Sequence, residues 1–262
     1  MPTTRSTAVP LHYRVFGDGP PLVMLHGLLG CWHNWSPVAR ALSDRFRVLA
    51  VDQRNHGESG HAEPLDYERL CDDLRGLLDE LGLPRAALLG HSMGGKAAML
   101  FADRFPERVD RLIVVDIGPG ACPPVHRSAI EALCGLELKA VSRLKDAERL
   151  LAPAIPDAAL RLFLLKNLAR SPAGFRWKVG LEAIRRGYEG LCAALPLRGG
   201  QTPALFVCGG RSEALTDADW PAVQRLLPRA RRVVIPEAGH WVHADDEPGV
   251  LSAVRAFLEG PA

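Results

Sequence analysis

The sequence predicts an α/β protein built around a mostly parallel central sheet. Its 262 residues and 28.5 kDa fit one large domain that carries an insertion. Short, continuously apolar runs alternate with segments of helical spacing, which is the pattern of parallel strands buried on both faces. We expect about eight strands flanked by helices. Six of the runs are "PLVMLHG" (21–27), "RVLAVD" (47–52), "AALLGHS" (86–92), "RLIVVDIG" (111–118), "PALFVCGG" (203–210) and "RRVVIPEAGH" (231–240).

The first predicted element, "LHYRVFGDG" at 11–19, alternates polar and apolar residues and indicates an antiparallel hairpin at the sheet edge.

Between residues 120 and 200 the alternation of apolar runs and helical segments stops. Two stretches there, 157–170 and 175–190, have helical spacing with no strand between them. About 80 residues without a strand exceed what a crossover between parallel strands needs. We therefore expect a helical cap over 120–200, inserted into a core domain formed by residues 1–119 and 201–262.

Composition excludes several classes of function. The 32 Lys and Arg residues nearly balance the 30 Asp and Glu residues, so a nucleic-acid partner is not expected. No uncharged run reaches the roughly 18 residues of a membrane span, and the start of the chain lacks a signal-peptide core, which predicts a cytoplasmic protein. The cysteines show no C-x-x-C pair, so we expect reduced, mostly buried thiols and neither a metal nor an organic cofactor. They are Cys31, Cys71, Cys122, Cys134, Cys192 and Cys208.

The stretch "GHSMGGKAAM" at 90–99 fits two motifs. Gly90, Gly95 and Lys96 match a phosphate-binding loop, and "LIVVD" ending at Asp116 resembles the acidic strand that accompanies one. That motif needs a hydroxyl after the lysine to bind Mg²⁺, and position 97 is alanine. A nucleophile elbow, G-x-S-x-G, is matched in full. We therefore expect the elbow, with Lys96 in a surface ion pair.

The elbow makes Ser92 the expected nucleophile, exposed where the strand turns into a helix. The N–H group of Met93 would then point to the developing oxyanion. A second donor is expected from the N–H of Leu28, because Gly27 lets the chain turn at the end of the first parallel strand. His26 is expected to brace this loop.

A general base is expected on the loop after the last strand, where "AGHWVH" contains two histidines. His240 follows Gly239 and lies nearest the strand end, so we expect it to reach Ser92, in the chain order that elbow enzymes use. His243 is the alternative.

The chain resembles the α/β-hydrolase fold superfamily, and within it the small bacterial acyl esterases and thioesterases that have mitochondrial relatives in animals. "RNHGES" and "GGKAAM" are the most specific parts of the resemblance, which spans nearly the whole chain. The stretches that carry it are "HGLLGCWHNW" (26–35), "DQRNHGESG" (52–60), "GHSMGGKAAM" (90–99), "VVDIGP" (114–119), "FLLKNL" (163–168) and "AGHWVH" (238–243).

The acid of the triad departs from the wider superfamily pattern. The acid usually closes a G-x-x-D turn after the penultimate strand, but Ser212 stands at that place counted from Gly209. A hydroxyl cannot supply the negative charge that stabilises an imidazolium. The branch that the chain resembles places the acid on the preceding strand, which implies Asp116. Glu213 is the alternative acid, and Ser212 is expected to hydrogen-bond the histidine or the acid.

The expected function is that of a serine hydrolase that cleaves carboxylic esters or acyl thioesters of short to medium acyl chain through Ser92, His240 and Asp116. The partner is then a small molecule, with no membrane span. The cap contributes apolar residues, and any of them that face the cleft would suit the acyl chain: Phe163, Leu164, Phe175 and Trp177. "DQRNHGES" is expected to tie loops together through Asp52, Arg54 and His56. A carbon–carbon bond hydrolase or lyase with the same triad, and a non-catalytic ligand receptor on this fold, are the alternatives.

Overall fold

A computed structural model describes residues 8–172 and 174–260. Seven strands of this part form the main sheet, in the order β1-β3-β2-β4-β5-β8-β9, one fewer than the expected number. All neighbours are parallel except β1 and β3. The strands, including a separate pair β6 and β7, are β1 (Tyr13–Phe16), β2 (Pro21–Leu25), β3 (Arg47–Val51), β4 (Ala86–His91), β5 (Val109–Val115), β6 (Leu168–Ser171), β7 (Gly174–Trp177), β8 (Ala204–Gly209) and β9 (Ala230–Ile235).

Helices cover both faces of the sheet. Those of the described residues are α1 (Ser36–Leu42), α2 (Tyr67–Glu80), α3 (Met93–Arg104), α4 (Arg127–Cys134), α5 (Leu144–Leu151), α6 (Ala158–Leu165), α7 (Leu181–Cys192), α8 (Trp220–Leu226), α9 (Val242–Asp245) and α10 (Glu247–Glu259). Two apolar clusters fill the space between sheet and helices. One joins the sheet to α2, α3 and the segment between β5 and β8, and the other joins it to α1 and α10.

The strand β2 shows why these runs form a parallel sheet. Val23 and Leu25 enter the first cluster, whereas Leu22 and Met24 enter the second. Because successive side chains of a strand point to opposite faces, a strand covered on both sides must be apolar throughout. The predicted fold class is therefore confirmed.

The expected hairpin at the sheet edge is wrong in its pairing. The strand β1 is antiparallel and lies at the edge, but it pairs with β3, and Tyr13 lies opposite Val51. Local alternation predicted an exposed edge strand, but alternation carries no information on which neighbour completes the ladder.

The segment between β5 and β8 is not purely helical, in contrast to the prediction. It contains α4 to α7, and between α6 and α7 the strands β6 and β7 form an antiparallel hairpin, with Leu168 opposite Trp177. Each strand has only four residues, so their alternation is too short to stand out from the helical spacing around them. We keep the name cap for residues 120–200; its boundaries remain a prediction.

No helix in the described ranges combines the length and the apolar character that crossing a membrane requires.

The starts of two helices are capped by aspartate side chains. The carboxylate of Asp66 accepts the N–H of Arg69 at the start of α2, and Asp246 accepts the N–H of Gly249 at the start of α10. Such N-caps satisfy donors that have no acceptor within the helix.

Candidate active site

The stretch after β4 forms a sharp turn that carries Ser92. This serine precedes α3 with φ 51° and ψ −116°, a backbone conformation that residues other than glycine rarely adopt. A Cβ atom on Gly90 would lie 2.2 Å from the carbonyl oxygen of Gly94, and one on Gly94 would lie 2.5 Å from that of Leu25. Both glycines are therefore required by close backbone approach, as the elbow motif predicts.

The acid lies on the strand beside the elbow. Asp116 directly follows β5, is only 1% exposed and has a φ of 53°. The two strand ends are joined by the ladder, because the carbonyl oxygen of Val115 accepts the N–H of Ser92 at 3.1 Å. A carboxylate at this position is thus held by the sheet and excluded from water.

His240 contacts this carboxylate. Its Nδ1 lies 2.8 Å from Oδ2 of Asp116, on a loop between β9 and α9. The other carboxylate oxygen, Oδ1, accepts the N–H of Gly209 at 2.8 Å, and the hydroxyl of Ser212 donates to Oδ2. The negative charge therefore receives three donors, which keeps a buried carboxylate satisfied.

The alternative residues occupy different places. Ser212 bonds the acid, as expected for an accessory residue. Glu213 is exposed at the edge of the cavity, whereas the carboxylate bonded to His240 is that of Asp116. His243 is buried and stacks on Trp35, with 4.4 Å between the ring centroids. Burial lowers the pKa of His243 to about 4, so it is neutral at pH 7.

A further residue, His91, was not singled out from the sequence. Its Nε2 donates to the carbonyl oxygen of His240 at 2.8 Å, and the two rings pack with centroids 4.7 Å apart. Burial lowers the pKa of His91 well below its usual value, so its ring is neutral. The residue before Ser92 thus holds the loop that carries His240. Its adjacency to Ser92 was the available signal, but only the folded chain shows its partner.

The loop after β2 lies against the elbow. A Cβ atom on Gly27 would lie 3.4 Å from Cβ of Ser92, so the two turns are in contact. The carbonyl oxygen of Gly27 accepts the N–H of Gly30 at 3.0 Å, and the N–H of Leu29 donates to Nε2 of His56. These bonds fix the backbone on both sides of Leu28.

Polar residues hold the neighbouring loops, as the sequence predicts. His26 Nε2 accepts the N–H of Gln53 at 3.0 Å. Asp52 accepts the N–H of Trp32 at 2.7 Å. Arg54 forms a buried ion pair with Asp73. Burial lowers the pKa of His56 to about 3, which keeps its Nε2 available as an acceptor.

Several of the predicted residues meet at one cavity of about 420 Å³. Ser92, His240, Leu28 and Met93 all line it. The cap contributes further apolar walls, among them Leu160, Phe163, Leu164, Tyr188 and Leu191. The site is therefore a largely apolar pocket with a few convergent polar groups, the usual form of a small-molecule site.

Two of the four expected cap residues lie elsewhere. Phe163 and Leu164 line the cavity, but Phe175 and Trp177 lie on β7 and pack, partly buried, against the first apolar cluster. The sequence indicated helical spacing over 175–190, but its first residues belong to β7. In a strand, residues two apart share a face, so both rings turn to the same side.

The expected surface ion pair of Lys96 is wrong. Its side chain is 1% exposed, and Nζ donates to the carbonyl oxygens of Gly120 and Ala193, each at 2.7 Å. Lys96 also lines the cavity. Nearly all of α3 is buried, so the residue one turn after Ser92 faces the cap and not solvent.

The described residues hold no group of three or more His, Cys, Asp or Glu side chains that could bind a metal. All six cysteines are free; Cys71, Cys192 and Cys208 are buried and Cys134 is exposed. The chemistry brought together at the cavity is that of a hydroxyl, an imidazole and a carboxylate.

Known proteins resemble this chain in sequence and in fold. The sequence profile of the alpha/beta hydrolase fold family matches residues 20–133. The chain is 38% identical to the sn-1-specific diacylglycerol lipase ABHD11 of Mus musculus, over 95% of this chain and 85% of that protein. It is 30% identical to the esterase YbfF of Escherichia coli (strain K12), over 92% and 94%. The solved structure of a marine microorganism esterase is 36% identical with a TM-score of 0.93, over 95% of this chain and 100% of that one. The chain therefore belongs to the alpha/beta hydrolase fold family.

Proposed function

We propose that this protein is a serine hydrolase that cleaves carboxylic esters or acyl thioesters of short to medium acyl chain. The relatives that are named lipase and esterase support an ester-hydrolysing enzyme, without specifying the substrate or the catalytic residues. The observation that carries the finer proposal is the 2.8 Å contact of His240 with Asp116 at a cavity that Ser92 also lines. The cytoplasmic location remains a prediction.

In this proposal Ser92 Oγ attacks the acyl carbonyl carbon while Nε2 of His240 takes the hydroxyl proton. Asp116 keeps a proton on Nδ1 of the imidazole and stabilises the imidazolium. His240 then returns the proton to the leaving oxygen or sulfur, which leaves an acyl group on Ser92. Water, deprotonated by the same imidazole, releases the acid.

The developing oxyanion would be bound by the N–H groups of Leu28 and Met93. Met93 is the first residue of α3, and the first N–H groups of a helix have no acceptor within it. The loop of Leu28 is held against Ser92 through Gly27. Each such donor contributes on the order of 10² to 10³ in rate.

The first test replaces the nucleophile. We expect Ser92→Ala to lower kcat for p-nitrophenyl butyrate by up to about 10⁶, because triad members act as a unit. Initial rates of p-nitrophenol release measure the effect, and circular dichroism checks that the variant folds. Retention of more than a trace of turnover would assign the reaction to another group.

The second test concerns the leaving group and chain length. A series of acyl esters is compared with the acyl-CoA thioesters of the same acids, by kcat/KM. The apolar cavity of about 420 Å³ leads us to expect an optimum at short to medium chains. An optimum shared by both series would favour recognition of the acyl part.

The alternatives are separated by two measurements. A panel of diketones assayed beside the esters detects a carbon–carbon bond hydrolase. A fluorophosphonate probe labels an activated serine, so labelling of the wild type and not of Ser92→Ala excludes a non-catalytic receptor.

A further inference from the structure

A buried cation lies in the wall of the cavity, and no residue of the described ranges gives it an anionic partner. Lys96 is 1% exposed and forms no ion pair with any acid of the described residues. Its Nζ lies 6.0 Å from the centroid of the Tyr67 ring, and the thiols of Cys122 and Cys192 line the same cavity. Buried charges in proteins are normally paired, so this ammonium stands out.

The hydrogen bonds of Lys96 leave one donor for a ligand. Two N–H groups are used on the carbonyl oxygens of Gly120 and Ala193, which both belong to the cap. An ammonium has three donors. In the described part of the chain no acceptor takes the third, and Lys96 lines the cavity together with Ser92.

Carbonyl oxygens orient the ammonium but do not neutralise it. Burial lowers the pKa of Lys96, as expected where no carboxylate stabilises the charged form. A carboxylate that entered the cavity would supply both the missing acceptor and the missing negative charge. Hydrogen bonds between two charged groups are about twice as strong as neutral ones.

We infer that Lys96 is a specificity-determining residue that binds a carboxylate of the substrate, so that the preferred esters carry a carboxylate at the end of the acyl chain or of the alcohol. This inference rests on the proposed function and narrows its substrate class. The backbone N–H of Lys96 bonds the carbonyl oxygen of Ser92 at 3.0 Å, so its side chain starts one helical turn from the nucleophile. Only a chain of matching length would reach both groups.

Matched substrates test the inference. Methyl monoesters of succinic, glutaric, adipic and pimelic acid are compared with neutral esters in which an isopropyl group replaces the terminal carboxylate. A second arm uses acetate esters of ω-hydroxy acids and their isopropyl counterparts, which places the carboxylate on the alcohol. The readout is the ratio of kcat/KM for the charged ester to that for its neutral counterpart, followed by pH-stat titration. We expect a ratio above one at a single chain length in one arm.

The variants separate charge from cap attachment. Lys96→Gln keeps an N–H donor for the cap carbonyls but has no charge, and we expect it to lower the ratio by about tenfold or more. The exposed Lys139 provides the control, because Lys139→Gln removes the same charge away from the cavity and should leave the ratio unchanged. If Lys96 only attaches the cap, both esters lose rate together. An unchanged ratio in Lys96→Gln overturns the inference.

Binding decides the inference if turnover fails. Succinate, glutarate, adipate and pimelate are titrated into the Ser92→Ala variant by calorimetry. We expect saturable binding of the dicarboxylate of one length, and no binding to the double variant that also carries Lys96→Gln. Absence of binding by all four overturns the role of Lys96. If the wild type hydrolyses none of the charged or neutral esters, the proposed function is contradicted, whatever the calorimetry gives.

Discussion

At the scale of single residues, the carboxylate of Asp116 is held by three hydrogen-bond donors. It is buried at the end of β5 and accepts the N–H of Gly209, the hydroxyl of Ser212 and Nδ1–H of His240. Two of these donors come from the strand and turn where the wider superfamily usually places its acid. In this chain that turn supplies two hydrogen bonds to the carboxylate and no charge of its own.

We expect Asp116→Asn to lower kcat by about 10⁴, because an amide cannot stabilise the imidazolium and favours the wrong tautomer. Glu213→Gln is the matched control, since Glu213 is exposed at the same cavity, and it should stay within a few-fold of the wild type. Initial rates on one p-nitrophenyl ester compare the two. A large loss in Glu213→Gln with an active Asp116→Asn would reverse the assignment.

The sequence alone was enough to single out those site residues that belong to a local motif or directly follow a recognisable strand. Ser92 lies in a local motif, and His240 lies directly after a recognisable strand. Asp116 could be named only through the resemblance, because its contact with His240 depends on strand order. The orientation of Lys96 was missed, since it is determined by two carbonyls from residues far along the chain.

At the scale of elements, the turn from β4 into α3 depends on close contact with the loop after β2. Gly94 is helical, and a helix normally gains stability when glycine becomes alanine. Here the added Cβ would lie 2.5 Å from the carbonyl oxygen of Leu25 and 2.6 Å from that of His26. Backbone cannot move aside as a flexible side chain can.

We therefore expect Gly94→Ala to lower the free energy of unfolding by about 1 to 3 kcal/mol and to reduce kcat, because it separates the two proposed oxyanion donors. Gly76→Ala in α2 is the control, since its Cβ would meet only Ala8 at 3.6 Å. That change should stabilise the protein by up to about 1 kcal/mol. Urea denaturation of both variants measures the difference, and equal effects would contradict the steric argument.

Strands were predicted well where they are buried on both faces. Their continuous apolar runs have no alternative explanation once helices flank them, as in β2 and β8. The pairing of β1 with β3 and the hairpin of β6 and β7 were not predicted. Both involve short, half-exposed strands, in which neighbours and not local sequence select the pairing.

At the scale of the whole molecule, buried histidines make stability depend on pH. Burial lowers the pKa of His56 to about 3 and that of His243 to about 4, from a usual value of 6.5. Between these values and pH 6.5 the unfolded chain binds more protons than the folded one. The free energy of unfolding must therefore fall as the pH decreases through this window, with no contribution from either group above it.

His243 allows this contribution to be isolated. Its Nδ1 has no hydrogen-bond partner among the described residues, and its ring stacks on Trp35. We expect His243→Phe to keep the stack and to make the decline less steep by about 1.4 kcal/mol per pH unit between pH 4 and 6.5. Urea denaturation at several pH values gives the slope. Parallel curves for variant and wild type would exclude His243 as a source.

The hydrogen bond from Ser92 to Val115 has a consequence for heating. The serine and the acid are joined by a rung of the central sheet, whereas the imidazole arrives on a connecting loop. Loops loosen at lower temperature than central strands do. On heating, the loop that carries His240 should therefore move away from the site first, and activity should be lost at that point. Ser92 and Asp116 should keep their spacing until the central sheet unfolds.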